Sequence, residues 1–255
     1  MTDSLCSSMN NNIRVICFDQ GGTLLFRTPL EDNGRADYSR IMKITGQLGD
    51  PMEFGKKLLG RDKKYKRWSL SSNEEASEEI IWQKWLLPEA DEKVTSSNSD
   101  ELTLLFSHSK GHRVFREDAF STVKELHSRG YRLGMITNTV SRTLVPLELS
   151  REGISPFIET IIMSSLTGVR KPDPEIFISL AEKMAVSPSA CVYVGDAPDR
   201  DVAGPKKAGY GMSVLLGNES GKNRELASDL YPDIFINKLS DLLNIFNHKK
   251  DEVHI

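Results

Sequence analysis

The chain has 255 residues, 38% of them hydrophobic and 27% charged, long enough for one large α/β domain or for a core carrying an inserted module. Its 33 basic residues against 36 acidic ones leave a net charge of −3, which excludes recruitment of nucleic acid or an anionic membrane by a bulk positive field. The 3 cysteines, Cys6, Cys17 and Cys191, lack paired spacing and nearby histidines, which argues against a disulfide scaffold or zinc site, and no apolar stretch approaches a membrane span.

In chain order, residues 1–12 are polar and rich in Ser and Asn, lack the apolar core of a secretion signal, and read as a frayed tail on a cytoplasmic protein. Five short apolar runs bounded by turn residues predict strands at 14–18, 132–137, 159–163, 191–195 and 211–216. Segments with apolar residues at three- and four-residue spacing lie between them, such as Phe120, Val123 and Leu126, then Ile176, Leu180 and Met184. This alternation predicts a parallel sheet with crossover helices. More than a hundred residues separate the first two runs without a good strand, too long for a crossover loop, so most of them must form a module of their own. Helical patterns span 36–59 and 73–87 within it, with Ser72 and Glu75 spaced as a capping box ahead of Ile81 and Trp85. Residues 95–100 read as a polar linker, and 115–127 as the helix that returns the chain to the sheet. Trp68, Trp82 and Trp85 are expected to pack the module, and Cys17 and Cys191 to lie buried in strands.

Chemistry concentrates at the ends of the predicted strands, where parallel sheets bind ligands. The first run closes on Asp19-Gln20-Gly21-Gly22, a carboxylate followed by glycines that let backbone groups approach an anion or a metal; by itself this is as readily a plain turn. The second closes on Thr137-Asn138-Thr139, where a hydroxyl can donate to a phosphate oxygen or cap a helix. In Lys171-Pro172-Asp173-Pro174, Pro172 biases Lys171 away from helix, while Asp173 and Pro174 suit the cap and first position of one. That leaves the Lys171 ammonium either fixed beside a strand-end site, where it could neutralise phosphate, or merely solvated. The fourth run closes on Gly195-Asp196, with Asp199 and Asp201 following; Asp199 is the expected helix cap, and two strand-end carboxylates, Asp19 and Asp196, suit a hard cation such as Mg2+. Asp19, Thr137, Lys171 and Asp196 thus fall at one edge of one sheet.

Taken in order and spacing, Phe18-Asp19-Gln20-Gly21-Gly22-Thr23-Leu24, Ile136-Thr137-Asn138, Lys171-Pro172-Asp173-Pro174 and Gly195-Asp196 with Asp201 resemble the four motifs of the haloacid dehalogenase-like hydrolase superfamily, phosphatase-like branch. The resemblance covers nearly the whole chain except its two tails. It implies an α/β fold, a Rossmann-like parallel-sheet core at 13–27 and 114–247, with a mostly α-helical cap inserted at 28–113 and tails at 1–12 and 248–255. It further implies that Asp19 is a nucleophile forming an aspartyl-phosphate from a small phosphorylated substrate. Thr137, with Asn138 and Gly22, would bind the phosphoryl group, and Lys171 would neutralise charge and orient Asp19. Asp19, the backbone carbonyl of Gly21 and Asp196 would ligate Mg2+, with Asp201 acting directly or through a water. Neither nucleic acid nor membrane is an expected partner, and the chain is expected to be a monomer or homodimer.

One residue departs from that pattern: phosphatases of the superfamily carry a second Asp two residues after the nucleophile, as proton donor and later as base, and this chain has Gly21 there. General acid–base catalysis contributes about 10²–10⁴-fold. Three readings follow: a Mg2+-dependent phosphatase that finds its proton elsewhere or has an easily expelled leaving group, a phosphonate-type or other Asp-nucleophile hydrolase, and a catalytically weak phosphate-binding regulatory protein. A phosphonate-type enzyme would draw a Schiff-base lysine from Lys56, Lys57, Lys63 or Lys64, although such a basic run is also what a solvated helix face looks like. The run also leaves open a locally basic cap facing a small anionic substrate. His108, His112 and His127 could serve as the missing acid, or lie at the surface. Dehalogenation is disfavoured by Asp196.

Overall fold

The computed structural model describes residues 12–217 and 227–247; the expected tails, apart from residue 12, lie outside the described residues. Eight strands follow in chain order: β1 (Val15–Phe18), β2 (Leu25–Thr28), β3 (His112–Phe115), β4 (Arg132–Thr137), β5 (Ile158–Met163), β6 (Cys191–Gly195), β7 (Met212–Leu216) and β8 (Ile234–Ile236). Six form one parallel sheet in the order β5-β4-β1-β6-β7-β8, and β2 and β3 form an antiparallel hairpin. The chain steps outward from β1 through β4 to β5, then returns to the other side of β1 and steps outward again from β6, so the strand order reverses between β1 and β6. The crevice outside the carboxyl ends of those two strands is where such a sheet receives a ligand.

All four residues of β1 are buried, because helices cover both faces of the sheet. Ile16 and Phe18 belong to the core on the side of helix Ala119–Ser128, with Val123 and Leu126, while Val15 and Cys17 pack with Ile176, Phe177 and Leu180 of helix Pro174–Lys183. That two-sided burial makes the strand read as an unbroken apolar run.

The segment between β2 and β3 has a hydrophobic core of its own, including Tyr38, Ile41, Leu58, Tyr65, Trp82 and Phe106. Trp82 is fully buried and its indole N–H donates to Thr103 Oγ1 at 2.9 Å, so the ring is satisfied as a packing group. Trp68 and Trp85 stack beside Tyr65 at the edge of the same cluster. This helical module leaves and re-enters at the hairpin's end, where Thr28 faces His112.

Several local expectations are corrected. The long segment is not strand-free: β2 and β3 are four residues each, and only one residue of the eight is buried, so they carry too little apolar signal to be read. β8, three residues long, was equally silent. Residues 36–59 form two helices, Arg35–Thr45 and Pro51–Ser72, since Gly46 takes a left-handed conformation that ends the first and Asp50 caps the second by accepting from the N–H groups of Met52 and Glu53. Ser72 closes the second helix instead of opening the third; the N-cap is Ser77, followed by Glu78–Ile80 and a π-helical turn Ile81–Leu86. The polar stretch 95–100 belongs to helices Glu92–Ser97 and Ser99–His108, because Asp91 caps the first of them and Thr95 and Ser99 are buried. Asp199 caps nothing: it lies inside the turn Pro198–Val202, whose N-cap is Ala197. Asp173 and Pro174 do occupy the N-cap and first position of their helix. Among the described residues, no helix is long and apolar enough to cross a membrane.

Candidate active site

Asp19 follows β1 directly and Asp196 follows β6, so the strand register brings the two carboxylates together across the crevice. Lys171 enters from the loop before helix Pro174–Lys183. Its ammonium donates to Asp19 Oδ1 at 2.7 Å, to Asp201 Oδ1 at 2.8 Å and to the hydroxyl of Tyr193 at 2.7 Å. Tyr193 in turn donates to the Ile136 carbonyl at 2.7 Å, which leaves its oxygen free to accept from the lysine. Burial works to lower the Lys171 pKa, but Asp19 and Asp201 raise it above its ordinary value, so the amine is held charged. Asn138 fixes the same loop in both directions, accepting from Lys171 N–H at 2.9 Å and donating to Lys171 C=O at 3.0 Å. Thr137 is buried at the carboxyl end of β4.

Asp201 is fully buried; its second oxygen accepts from the backbone N–H groups of Asp196 at 3.2 Å and Ala197 at 3.0 Å. It thereby ties the lysine to the turn carrying Asp196. Oδ1 of Asp196 is buried with no hydrogen-bond partner, and burial first, then Asp19 and Asp201, pushes its pKa up to about 6. One oxygen each of Asp19, Asp196 and Asp201 lies within 4.8 Å of the others. Three crowded carboxylates, one with an orphaned oxygen, are a donor set that could hold a hard divalent cation. Gly22 makes the crowding feasible: it sits at φ +95°, and a Cβ there would fall 2.2 Å from Asp196 Oδ2. Gly21, by contrast, is exposed and has nothing within 4 Å of where a Cβ would be.

Asp19, Gly21, Thr137, Asn138 and Lys171 line one pocket of about 150 Å³, so the structure brings these expected residues together; Gly22, Asp196 and Asp201 are not among its lining residues, although oxygens of Asp196 and Asp201 lie within 4.8 Å of one of Asp19. The sequence reading missed the pocket's three guanidinium groups, Arg113, Arg170 and Arg200. Arg113 projects from β3 and is held by Gln20 and Glu148: its Nη2 donates to Gln20 Oε1 at 2.8 Å and Glu148 Oε2 at 2.9 Å, and Gln20 donates to Glu148 at 3.1 Å. No local sequence signal links residue 113 to residue 20. Arg170 was visible as the neighbour of Lys171; it pairs with the buried Glu75 of the helical module, which also accepts from Tyr65 and from Ser164 at 2.7 Å. The backbone repeats that junction, Glu75 N–H donating to Gly168 at 2.7 Å and Arg170 N–H to Asn73 at 2.9 Å. Lys56, Lys57, Lys63 and Lys64 are exposed on helix Pro51–Ser72, the first two paired with Glu53 and Glu89, and neither they nor the histidines line the pocket.

A family model for haloacid dehalogenase-like hydrolases matches residues 13–209. The chain is 33% identical over 131 residues to the glyceraldehyde 3-phosphate phosphatase of Methanopyrus kandleri, a match covering 50% of this chain and 54% of that protein, so it spans about half the length of that relative. A phosphoglycolate phosphatase of Vibrio vulnificus is 27% identical over 240 residues, covering 91% of this chain and 96% of that protein. Among solved structures, a 2-haloacid dehalogenase from Pseudomonas syringae superposes with a TM-score of 0.64 at 22% identity, covering 92% of this chain and 98% of that one, a likeness of fold alone. With the sheet order, the strand-end carboxylates and the matched span in agreement, the chain belongs to the haloacid dehalogenase-like hydrolase family.

Proposed function

We propose that the protein is a Mg2+-dependent phosphatase acting on a small phosphorylated compound, with Asp19 as nucleophile. The observation that carries this reading is the Lys171 ammonium bonded to Asp19 at the floor of a cationic pocket, beside an Asp196 oxygen with no protein partner. The named relatives act on chemically different phosphates, which supports a phosphatase and selects no substrate.

Asp19, Asp196 and the Gly21 carbonyl would hold the cation, which when bound offsets the repulsion between a carboxylate and a phosphate and polarises the phosphoryl oxygens. Asp201 already accepts from Lys171 and from two backbone N–H groups, so its role is to position both, reaching the cation at most through water. Thr137 donates its hydroxyl to a phosphoryl oxygen, while Asn138 keeps the Lys171 loop in place; the Gly22 N–H already donates to the Leu25 carbonyl at 2.7 Å, so Gly22 serves the site by leaving room for Asp196. Lys171 orients Asp19 for attack and neutralises charge as the phosphorus is transferred to the carboxylate oxygen. Water then cleaves the aspartyl-phosphate and restores Asp19. Residues 28–113 form the cap over this site, and residues 13–27 with 114–247 form the core; the Glu75–Arg170 contact joins them beside the pocket. The protein is predicted to release phosphate from 4-nitrophenyl phosphate in Mg2+ and to incorporate label from radiolabelled substrate in an acid-stable form. Equal release by wild type and Asp19→Asn would overturn the proposal.

A further inference from the structure

We infer that the substrate is an anhydride of phosphoric acid, an acyl phosphate or a diphosphate, whose leaving group departs as a carboxylate or phosphate anion. The inference rests on the phosphatase reading above and deepens it. Gly21 supplies no acid, and the described residues of the pocket wall offer no replacement: among them Asp19 is the one carboxylate, and there is no histidine, tyrosine or cysteine. What the wall does contain is Arg113, Arg170 and Arg200 beside Lys171. A guanidinium does not give up its proton at working pH, yet stabilises an anion that already leaves as one. Arg113 is tied to the turn at Gly21, since it donates to Gln20, the residue before Gly21, and Gly21 pairs with Leu25 at the start of β2, the strand that pairs with β3. The Gln20–Glu148 pair clamps that side chain at the wall, and the buried Arg170 Nε has no partner. An alkyl ester would need a proton that nothing in this wall delivers; an anhydride needs only positive charge where its anion forms.

The chemistry balances without an acid. A carboxylate oxygen of Asp19 forms a bond to the terminal phosphorus; the bond from that phosphorus to the bridging oxygen breaks, and its electron pair leaves on that oxygen as a phosphate or carboxylate. Water then attacks the aspartyl-phosphate, giving the Asp19 carboxylate, inorganic phosphate and one proton to solvent.

The test is kcat/KM in Mg2+ for acetyl phosphate, inorganic pyrophosphate and ethyl phosphate with wild type, Asp19→Asn, Gly21→Asp and Arg113→Gln. That ratio reports the steps through leaving-group departure, which are the ones an acid would help. Wild type is expected to favour the anhydrides over ethyl phosphate, and Gly21→Asp, which has room for its side chain, to shrink that preference about 100-fold by raising the ester alone. Arg113→Gln is expected to lower kcat/KM for pyrophosphate about tenfold, more than for acetyl phosphate, because the leaving phosphate carries its charge throughout. If ethyl phosphate is hydrolysed within about tenfold of acetyl phosphate by wild type, or Gly21→Asp leaves the preference unchanged, the anhydride assignment fails while the phosphatase stands. If no substrate is turned over faster than by Asp19→Asn, the phosphatase reading itself fails.

Discussion

Two adjacent glycines should respond oppositely to the same added methyl group. At Gly22 a Cβ would meet all three atoms of the Asp196 carboxylate, at 2.2, 2.5 and 2.7 Å, on a backbone with φ +95°. The carboxylate must swing away, and the left-handed residue adds about 1–2 kcal/mol of strain. Because Asp196 is the proposed cation ligand with the unpartnered oxygen, displacing it should weaken Mg2+ binding about 10–100-fold, equivalent to about 1.4–2.8 kcal/mol. At Gly21 nothing lies within 4 Å of the added carbon, so Gly21→Ala should leave stability within about 0.5 kcal/mol of wild type and Mg2+ affinity unchanged. Calorimetric Mg2+ titrations and urea unfolding of both variants measure these quantities. Wild-type Mg2+ affinity in Gly22→Ala, or equal impairment of both variants, would refute the assignment of the carboxylate cluster.

Further outcomes concern the cap and the lysine loop. Trp82→Ala removes a fully buried ring and strands its Thr103 partner, and should cost about 3–5 kcal/mol in urea unfolding; a loss under about 1 kcal/mol would mean the module does not depend on that cluster. Asn138→Ala breaks both bonds to the Lys171 backbone, each worth about 1 kcal/mol, so kcat on an aryl phosphate should fall about tenfold or more, and an unchanged kcat would remove Asn138 from the site. Glu78 of the cap is 1% exposed beside Arg142, and its pKa is raised from 4.5 to about 7, by burial first and Asp100 next. A folded-state pKa above the unfolded one means its stabilising contribution is full below pH 4.5 and lost as pH rises to about 7, up to about 3 kcal/mol in all. Glu78→Gln should therefore gain on wild type in urea midpoint between pH 4.5 and pH 8, and a flat difference across that range would contradict the sign.

What could be read from sequence follows from how far apart the cooperating residues lie. Asp19 and Asp196 sit immediately after strands whose residues are all buried, so one apolar run and its terminator place each group at the sheet edge. Lys171 was legible because Pro172, Asp173 and Pro174 constrain its neighbourhood within a few residues. Sparse apolar burial hid other elements. Only one of the eight residues in the hairpin strands β2 and β3 is buried, and the polar helix Glu92–Ser97 is held by its Asp91 cap and by packing, not by apolar periodicity. Arg113 depends on a hairpin register and on Gln20 and Glu148, 93 and 35 residues away, a coincidence only the folded chain displays.

The same contrast decides what Gly21 means. In sequence, a missing acid is compatible with an enzyme that finds its proton in the cap, with a different bond being cleaved, with an easily expelled leaving group, or with lost catalysis. The fold weighs against the first two: Lys56, Lys57, Lys63 and Lys64 are exposed, the first two paired with Glu53 and Glu89, and among the described residues no histidine lines the pocket. Lost catalysis fits poorly with a buried lysine still bonded to Asp19, to Asp201 and to a tyrosine that serves no other side chain in the site, since a pocket that only bound phosphate would have no use for an oriented carboxylate at its floor. A glycine with open space around it, lining the same pocket as clamped arginines, is instead what remains when the leaving group needs charge and not a proton.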